Sequence, residues 1–237
     1  MPVKIKVLDK KTINKIAAGE VIERPASVVK ELVENAIDAN SNKITVELEQ
    51  SGVKLIRVSD NGFGIAPEDL KIAFEKHSTS KITTIDDVFS LSSMGFRGEA
   101  LASIAAVARV ECVSNDGRNM TGRKIVIDGG EVKSFTEIGC PKGTTIKVKD
   151  MFYNVPARYK YLKSNQTELA HIIDVVTRVA IYYYKINFKL ISDGRELLNL
   201  PGAKNRIENL VNIYGKDLVR DLIPVSTESD SEQIPGN

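Results

Sequence analysis

The amino-acid sequence predicts an α+β protein, a two-layer α/β sandwich in which helices and strands form separate layers. An amphipathic helical stretch near residues 25–39 is followed by two alternating strands, 43–50 and 54–60. A second helical stretch, 99–107, is followed by three or four strands between residues 108 and 150. Helices followed by strands, repeated, indicate segregated layers, whereas the strand-by-strand alternation of a doubly wound parallel sheet is absent.

The composition is that of an ordinary globular protein. The 237 residues are 42% hydrophobic and 27% charged, which is enough apolar material for a sizeable core. The formal net charge of +2 is too mild to indicate nucleic-acid binding, although it leaves room for a local basic strip. No apolar run is long enough to cross a bilayer, and the first residues lack the apolar stretch of a secretory signal. We therefore expect a cytoplasmic protein that makes no membrane contact.

The two cysteines argue against thiol or metal chemistry. Cys112 lies in an apolar run and Cys140 precedes a proline, and together they form no metal-binding or redox spacing. Buried or incidental thiols are the expected outcome.

The stretch Glu31 to Asn40 contains the first candidate site residues. At about 100° per residue, its apolar side chains fall on one helix face, and Glu31, Asn35 and Asp38 fall within an arc of about 60° on the other. A carboxylate can take a proton from water, and a neutral amide oxygen suits Mg²⁺, which keeps most of its ligands for water and phosphate. Taken alone, such a pattern is more often a solvated helix face.

A second polar cluster, Asp60 to Gly64, directly follows the alternating strand 54–59. A strand that ends in Asp and then Gly-x-Gly holds a carboxylate at its tip. Its backbone is also bare enough for a flat ligand to approach. The alternative interpretation is an Asn-Gly turn at a strand end.

The segment 75–98 breaks the pattern because it is rich in Ser, Thr, Lys and Gly. A long irregular loop in a compact domain is usually functional, most often as a lid, or disordered. It ends in Gly95 to Gly98, directly before the helical run 99–107. A Gly-rich turn before a helix amino terminus presents free N–H groups and the positive dipole end to an anion. A plain loop-to-helix junction is the alternative.

The remaining expected elements follow from the periodicity of apolar residues. They are helices at residues 12–22, 67–74, 166–184 and 205–222, and strands at residues 108–114, 123–127, 131–137, 144–150 and 185–192. No P-loop motif occurs, because Gly215-Lys216 is followed by Asp217 and lacks the upstream glycine. Any ATP chemistry must therefore use a different phosphate cradle.

Four pieces, in this order, resemble the nucleotide-binding motifs of the GHKL ATPase superfamily: Glu31–Asn40, Asp60–Gly64, Gly95–Leu101 and Gly143-Thr144. That superfamily includes gyrase-type topoisomerases, a heat-shock chaperone and histidine kinases. The third piece, GFRGEAL, is similar to the signature of one branch, the MutL mismatch-repair proteins. Two further segments, Asn14 to Lys30 and Phe152 to Arg158, are also similar to MutL sequences, and the likeness extends to about residue 200.

The resemblance implies a role for each matching residue. Glu31 would be the general base for the attacking water, and Asn35 would be the Mg²⁺ ligand. Asp60 would accept a hydrogen bond from the adenine amino group, which favours adenine over guanine. Gly62 and Gly64 would let the backbone approach the adenine ring. Thr144 would support the Asp60 end of the pocket. Asp38 matches a family acid with a structural role.

The resemblance also assigns the lid and the phosphate contacts. The lid residues would be Thr79, Ser80 and Lys81. The phosphate-contacting turn and helix start would be Gly95, Phe96, Arg97, Gly98, Glu99, Ala100 and Leu101.

The implied function is that of the amino-terminal ATPase domain of a mismatch-repair protein. ATP binding with Mg²⁺ would close the lid and bring two such domains together. The ATPase state would then couple a MutS-type mismatch sensor to strand removal. DNA contact would be weak and would depend on the full-length protein. The interleaved basic and aromatic residues from Arg158 to Lys163 support it only slightly, and a solvated helix end is the alternative.

Three other functions remain as alternatives. The chain could be a nucleotide-gated binding module in which hydrolysis is incidental. It could be a gyrase-type topoisomerase domain, against which the MutL-like segments argue. A histidine kinase is the least favoured, since neither His77 nor His171 lies in a dimerising helix upstream of the ATP motifs.

The linker-like composition of Asn199 to Lys204 predicts a domain boundary. We expect the ATPase domain to occupy residues 1–198, and residues 199–237 to contain a linker and the truncated start of a second domain. In MutL proteins a lysine of that second domain reaches the γ-phosphate, and no lysine after Asn199 lies in a matching motif here. We therefore expect slow hydrolysis by this chain, and a monomer in the absence of nucleotide.

Overall fold

The computed structural model describes residues 7, 9, 18, 21–79 and 98–222. Most of the helix predicted at residues 12–22 lies outside these ranges. Within them, none of the helices is both long and apolar enough to cross a membrane.

Six α-helices and eight strands have both of their ends within the described part of the chain. The helices are α1 (Pro25–Asp38), α2 (Ala100–Val107), α3 (Pro156–Tyr161), α4 (Asn165–Tyr182), α5 (Arg206–Tyr214) and α6 (Lys216–Arg220). The strands are β1 (Lys43–Glu49), β2 (Leu55–Asp60), β3 (Arg109–Asn115), β4 (Thr121–Asp128), β5 (Glu131–Gly139), β6 (Gly143–Lys149), β7 (Asn187–Ser192) and β8 (Arg195–Leu200).

All eight strands form one sheet in the order β5-β4-β3-β6-β2-β1-β7-β8. The pairings are antiparallel except for β1 with β7, where Lys43 lies opposite Asn187. A parallel neighbour needs a crossover connection, and α4 supplies it immediately before β7.

Helices cover one face of this sheet. The helix α1 packs on β1, β2 and α4, α2 packs on β3 and β4, and α4 packs on β7. Along the strands, buried and half-buried residues alternate, so the apolar side chains share the helix-covered face. The core lies between the two layers, and the predicted two-layer α+β sandwich is confirmed.

The other face of the sheet carries charged pairs. Arg57 on β2 contacts Glu47 on β1 at 2.8 Å, and Glu111 on β3 contacts Lys147 at 2.9 Å and Lys124 at 3.0 Å. Hydrogen bonds from Lys147 and Lys124 lower the pKa of the Glu111 carboxyl to about 2, against the opposing effect of its partial burial. Opposite charges on neighbouring strands therefore stabilise this face.

Local signals explain where several helices begin. Pro25 occupies the first turn of α1, where its missing N–H costs nothing. The Ser164 hydroxyl accepts a hydrogen bond from the Thr167 N–H at the start of α4, and the Asn205 side chain accepts one from the Glu208 N–H at the start of α5.

The carboxyl end of α2 is capped from a distance. Phe152 donates its backbone N–H to the carbonyl oxygen of Val107 at 2.8 Å, and the Asn154 side chain donates to that of Ala106 at 2.9 Å. These bonds satisfy carbonyls that a helix end leaves without intrahelical partners. The segment that follows β6 therefore holds the end of α2 in place.

In two segments the structure differs from the predicted single helix. Residues 67–74, predicted as a helix, consist of turns that end in a short 3₁₀ helix, Ile72–Phe74. Residues 205–222, predicted as one helix, form α5 and α6, which meet at Gly215 with a φ of 85°. A backbone in that region cannot continue a right-handed helix.

The predicted domain boundary remains a prediction. It falls inside β8, which pairs with β7 through Leu200. Beyond it, the buried Asn209 donates its side-chain N–H to the carbonyl oxygen of Ala180 on α4 at 2.9 Å. Residues 199–209 thus pack against the preceding body.

Candidate nucleotide site

The helix α1 forms one side of the candidate site. Its apolar residues are buried, and Glu31, Asn35 and Asp38 are all half-buried. Glu31 and Asn35 are four residues apart and so share one face of the helix. A carboxylate and an amide therefore project from the same part of a helix whose other side is fixed in the core.

A lysine on the same helix lies close to Glu31. The Lys30 ammonium is 2.9 Å from the carboxylate of Glu34 and 3.7 Å from that of Glu31. Glu34 is buried, and its ion pair with Lys30 offsets the cost of removing the carboxylate from water. Sequence reasoning did not single out Lys30 or Glu34, because an i,i+4 pair is common on exposed helices.

Asp60 ends β2 with its carboxylate held by donors. The Gly62 N–H donates to it at 2.8 Å, and the Ser41 hydroxyl donates at 3.1 Å. Burial raises the pKa of Asp60 above its ordinary value, although hydrogen bonds from Gly62, Ser41 and the Thr144 N–H act in the opposite direction. The result is a fixed acceptor at the tip of a strand.

The glycine loop after Asp60 is joined to the end of α1. Phe63 donates its N–H to the carbonyl oxygen of Ala39 at 2.8 Å. A Cβ at Gly62 would lie 2.5 Å from the same oxygen, and a Cβ at Gly64 would lie 2.1 Å from the carbonyl oxygen of Asn115. Only glycine fits at these two positions, so the loop can lie flat against both neighbours.

Three strand ends meet beside Asp60. Thr144 is the second residue of β6, after Gly143, and it lies opposite Ser114 near the end of β3. The Ser114 hydroxyl is 2.8 Å from the Thr144 hydroxyl and accepts the Ile65 N–H at 2.8 Å. The structure thus brings Asp60, Gly62, Gly64 and Thr144 together, and their roles toward a nucleotide stay predictions. Ser114 was missed, although a lone serine on the same strand face as Val110 and Cys112 was a signal.

The start of α2 and the stem of the predicted lid form a second group. A Cβ at Gly98 would lie 2.6 Å from the carbonyl oxygen of Ser78, and His77 Nδ1 is 3.2 Å from Glu99 Oε1. Ser103 donates its N–H to the carbonyl oxygen of Glu99 at 2.9 Å. The N–H groups before it point out of the helix, as an anion site requires.

Several predicted residues of this second group lie outside the described ranges. They are Ser80, Lys81, Gly95, Phe96 and Arg97. The other members, Thr79, Gly98, Glu99, Ala100 and Leu101, are all half-buried.

The donor set suits a metal that takes few protein ligands. Among the described residues, no group of three or more His, Cys, Asp or Glu side chains could hold a metal ion. Cys112 is fully buried, and burial raises the pKa of its thiol. An amide from Asn35, completed by water and phosphate oxygens, is the type of ligand set that Mg²⁺ accepts.

Comparison with known proteins identifies the family. A family model described as "Histidine kinase-, DNA gyrase B-, and HSP90-like ATPase" matches residues 22–150. The ATPase domain of Aquifex aeolicus MutL, solved in complex with ADP, superposes with a TM-score of 0.69 at 33% identity. The match covers 82% of this chain and 70% of that one. The chain belongs to the MutL ATPase family.

Curated MutL proteins agree with this assignment. The DNA mismatch repair protein MutL of Agathobacter rectalis is 48% identical over 232 residues, and that of Lactobacillus delbrueckii subsp. bulgaricus is 51% identical over 233 residues. Each match covers 98% of this chain but only 36% of the relative. This MutL-family chain therefore spans about a third of the length of the curated relatives that it matches.

Proposed function

We propose that the chain binds ATP together with Mg²⁺ and hydrolyses it between α1, the Asp60 strand tip and the start of α2. The observation that carries the proposal is the Asp60 carboxylate, an acceptor held by Gly62 and Ser41 beside a loop that only glycines can form. An adenine amino group is the donor that such an acceptor selects, since guanine has an oxygen at the same ring position. The relative solved with ADP supports this choice of nucleotide.

Residues of α1 would perform the chemistry. Glu31 would orient the attacking water and take its proton, and Asn35 would hold the metal through its amide oxygen. Mg²⁺, when bound, would offset the negative charge that develops on the phosphate oxygens. Because α1 is fixed in the core along its other side, both side chains start from a rigid support.

The amino terminus of α2 would receive the phosphates. Gly98 to Leu101 would offer backbone N–H groups and the positive end of the helix dipole. Gly95, Phe96 and Arg97 would extend this turn, and Thr79, Ser80 and Lys81 would form the lid segment. The contacts of Gly98 with Ser78, and of Glu99 with His77, support this proposal, because they place the residues just before the lid segment next to the start of α2.

The name of the relatives, DNA mismatch repair protein, supports a proposal for the role of the whole protein. We propose that the ATP-bound state couples a MutS-type mismatch sensor to strand removal. Two such ATPase domains would associate when ATP is bound, and the full-length protein would contact DNA weakly. Turnover by this chain alone would be slow.

Replacement of Glu31 tests the assignment of the base. Glu31→Ala should leave the affinity for a non-hydrolysable ATP analogue within about threefold of the unchanged protein, because the carboxylate acts on water rather than on the nucleotide. ATP turnover should fall by about a hundredfold or more, within the range expected for loss of a general base. Calorimetric titration and a phosphate-release assay measure the two quantities.

A matched control is Glu137→Gln on the edge strand β5, which is exposed and remote from β2 in the sheet order. This change should alter neither the affinity for the ATP analogue nor the ATP turnover. If the chain showed no binding heat with the ATP analogue, or equal affinity for the GTP analogue, the nucleotide site itself would be refuted. Retention of full turnover in Glu31→Ala would refute only the role of Glu31.

A further inference from the structure

The turn between α1 and β1 contains a buried serine that contacts the candidate base site. Ser41 is 4% exposed, and its hydroxyl donates to Asp60 Oδ1 at 3.1 Å. Asp60 is the one acceptor of this hydroxyl among the described residues, so the single hydroxyl proton is used in this bond. An ionised carboxylate can only accept, which fixes the direction of the bond. Ser41 therefore supplies a donor to the strand tip from the α1 side.

Backbone bonds hold the turn that carries Ser41. Its own N–H donates to the carbonyl oxygen of Ala36 at 3.2 Å. The next two N–H groups, those of Asn42 and Lys43, donate to the side-chain oxygen of Asn61 at 3.1 Å and 3.0 Å. Because Asn61 directly follows β2, the turn and the strand tip are joined. The Ser41 hydroxyl is thus held in a fixed position beside the carboxylate.

The Asp60 carboxylate accepts three hydrogen bonds from the chain. Ser41 and Gly62 both donate to Oδ1, at 3.1 Å and 2.8 Å, and the Thr144 N–H also donates to the carboxylate. An ionised carboxylate has about four acceptor sites, two on each oxygen. Oδ1 is therefore filled by Ser41 and Gly62. A donor of a bound ligand must approach Oδ2.

A proton that binds to Asp60 must use the same oxygen. With Oδ1 filled, protonation places a hydrogen on Oδ2, where it opposes the amino group of adenine. Burial raises the pKa of Asp60, and the bonds from Gly62, Ser41 and Thr144 act against this rise. Among the described residues no charged side chain contributes to that pKa, and the titratable group on the neighbouring β3 is the buried Cys112 thiol, whose own pKa is raised by burial and by the charge of Asp60. The hydrogen bonds from the chain therefore keep Oδ2 ionised.

We infer that Ser41 is a positioning residue for base binding, because it fills Oδ1 of Asp60 and so directs the adenine amino group to Oδ2. Loss of this donor would open a site on Oδ1 and remove a bond that favours the ionised carboxylate. A proton would then compete with adenine at higher pH. The inference rests on the proposed ATP site and extends it to a residue that acts through Asp60 and sets the lower pH limit of binding.

The pH dependence of binding separates this role from a purely structural one. Affinity for a non-hydrolysable ATP analogue with Mg²⁺ is measured by calorimetry from acid to neutral pH, for the unchanged chain and for Ser41→Ala. The pH of half-maximal affinity should be about 0.5–1 higher in the variant, the size expected for loss of one hydrogen bond. The affinity should fall by about twofold to threefold at neutral pH and by up to about tenfold below the midpoint.

Ser192→Ala is the matched control. Ser192 is also 4% exposed, and its hydroxyl donates to an aspartate, Asp193, at 3.0 Å. It lies opposite Leu48, at the far end of β1 from the residue that lies opposite Asp60. The control should leave both the midpoint and the affinity unchanged. Titration of the nucleotide phosphates is common to all of these proteins, so it cannot produce a difference between them.

A second variant covers the case in which Ser41→Ala does not fold. Ser41→Cys keeps the size of the side chain but donates weakly. It should therefore move the pH midpoint in the same direction as Ser41→Ala.

The outcomes are distinguishable. An equal loss of affinity at every pH, with an unmoved midpoint, would overturn the inference and leave Ser41 a structural residue. Unchanged affinity and midpoint in both Ser41 variants, or binding by the unchanged chain that does not vary with pH, would also overturn it. Absence of ATP-analogue binding by the unchanged chain at neutral pH would instead overturn the proposed function.

Discussion

The backbone N–H of Phe63 donates to the carbonyl oxygen of Ala39 across 2.8 Å. This bond joins the glycine loop directly to the end of the helix that carries Glu31 and Asn35. The base-binding and water-activating parts of the proposed site thus share one rigid connection, and displacement of the loop should affect both.

Addition of a single methyl group at Gly62 tests this connection. Its Cβ would lie 2.5 Å from the Ala39 carbonyl oxygen and 2.6 Å from the Ser41 hydroxyl, so the loop would have to move. Gly62→Ala should weaken ATP-analogue binding by more than tenfold and lower the free energy of unfolding by about 1–3 kcal/mol. Calorimetry and urea unfolding measure the two effects. Gly139→Ala, where nothing lies within 4 Å of the added carbon, is the matched control and should be neutral in both.

Asp60 should be important for binding rather than for stability. Burial raises the pKa of its carboxyl, so the ionised form is disfavoured in the folded chain relative to the unfolded one. Asp60→Asn should therefore change the free energy of unfolding by less than about 1 kcal/mol. Because an amide N–H can then face the adenine amino group, the affinity for the ATP analogue should fall by at least tenfold. Asp174→Asn on α4, an exposed aspartate paired with Arg178, should leave binding intact.

The same raised pKa sets the pH dependence of binding. The folded chain holds more protons than the unfolded one between the ordinary value of 3.8 and the raised value, so the stability due to Asp60 falls as pH rises through that window. Binding should follow the opposite course, since only the ionised carboxylate is purely an acceptor. Calorimetric titrations should show adenine affinity increasing with pH across this window. Glu31→Gln should retain this pH dependence. If the variant lost it, the titrating group would be Glu31 rather than Asp60.

Glu111 should supply stability on the charged face of the sheet. Its pKa is lowered from 4.5 to about 2 by Lys147 and Lys124, so its contribution is fully present above the ordinary value and is lost as pH falls toward about 2. Glu111→Gln should lower the free energy of unfolding by about 1–3 kcal/mol at pH 7 after allowance for solvent screening. Urea unfolding at neutral and acid pH should show the difference between the two proteins closing. Glu131→Gln, in a largely exposed pair with Lys133, should cost less than about 1 kcal/mol.

The position of the domain boundary can be tested by truncation. A chain that ends at residue 198 would lose the last residues of β8 and the bond from Asn209 to Ala180. We expect it to melt several degrees below a chain that ends at residue 222. A shift of that size corresponds to a loss of about 1–2 kcal/mol in the free energy of unfolding. Equal melting temperatures would place the boundary where the sequence predicted it.

Sequence periodicity was sufficient for the elements that make local contacts. The apolar face of α1 and the hairpin of β1 and β2 follow from spacing alone, and the motif around Asp60 predicted a loop for base binding that stays a prediction. Residues 67–74 were assigned wrongly because acidic residues after a proline are typical of a helix start, yet the chain continued as turns to Ile72–Phe74. The contacts of Ser114 with Ile65 and Thr144, and the bond from Phe63 to Ala39, join segments far apart in the sequence, so no local pattern encodes these contacts.

The parallel pairing of β1 with β7 has a consequence for biosynthesis. Lys43 lies opposite Asn187, and the other neighbour of the first hairpin, β6, begins only at Gly143. The first hairpin therefore leaves the ribosome long before either flanking strand exists, and two strands alone are marginally stable in water. Nascent chains should consequently acquire nucleotide affinity late in translation, after the segment that contains β7 has emerged.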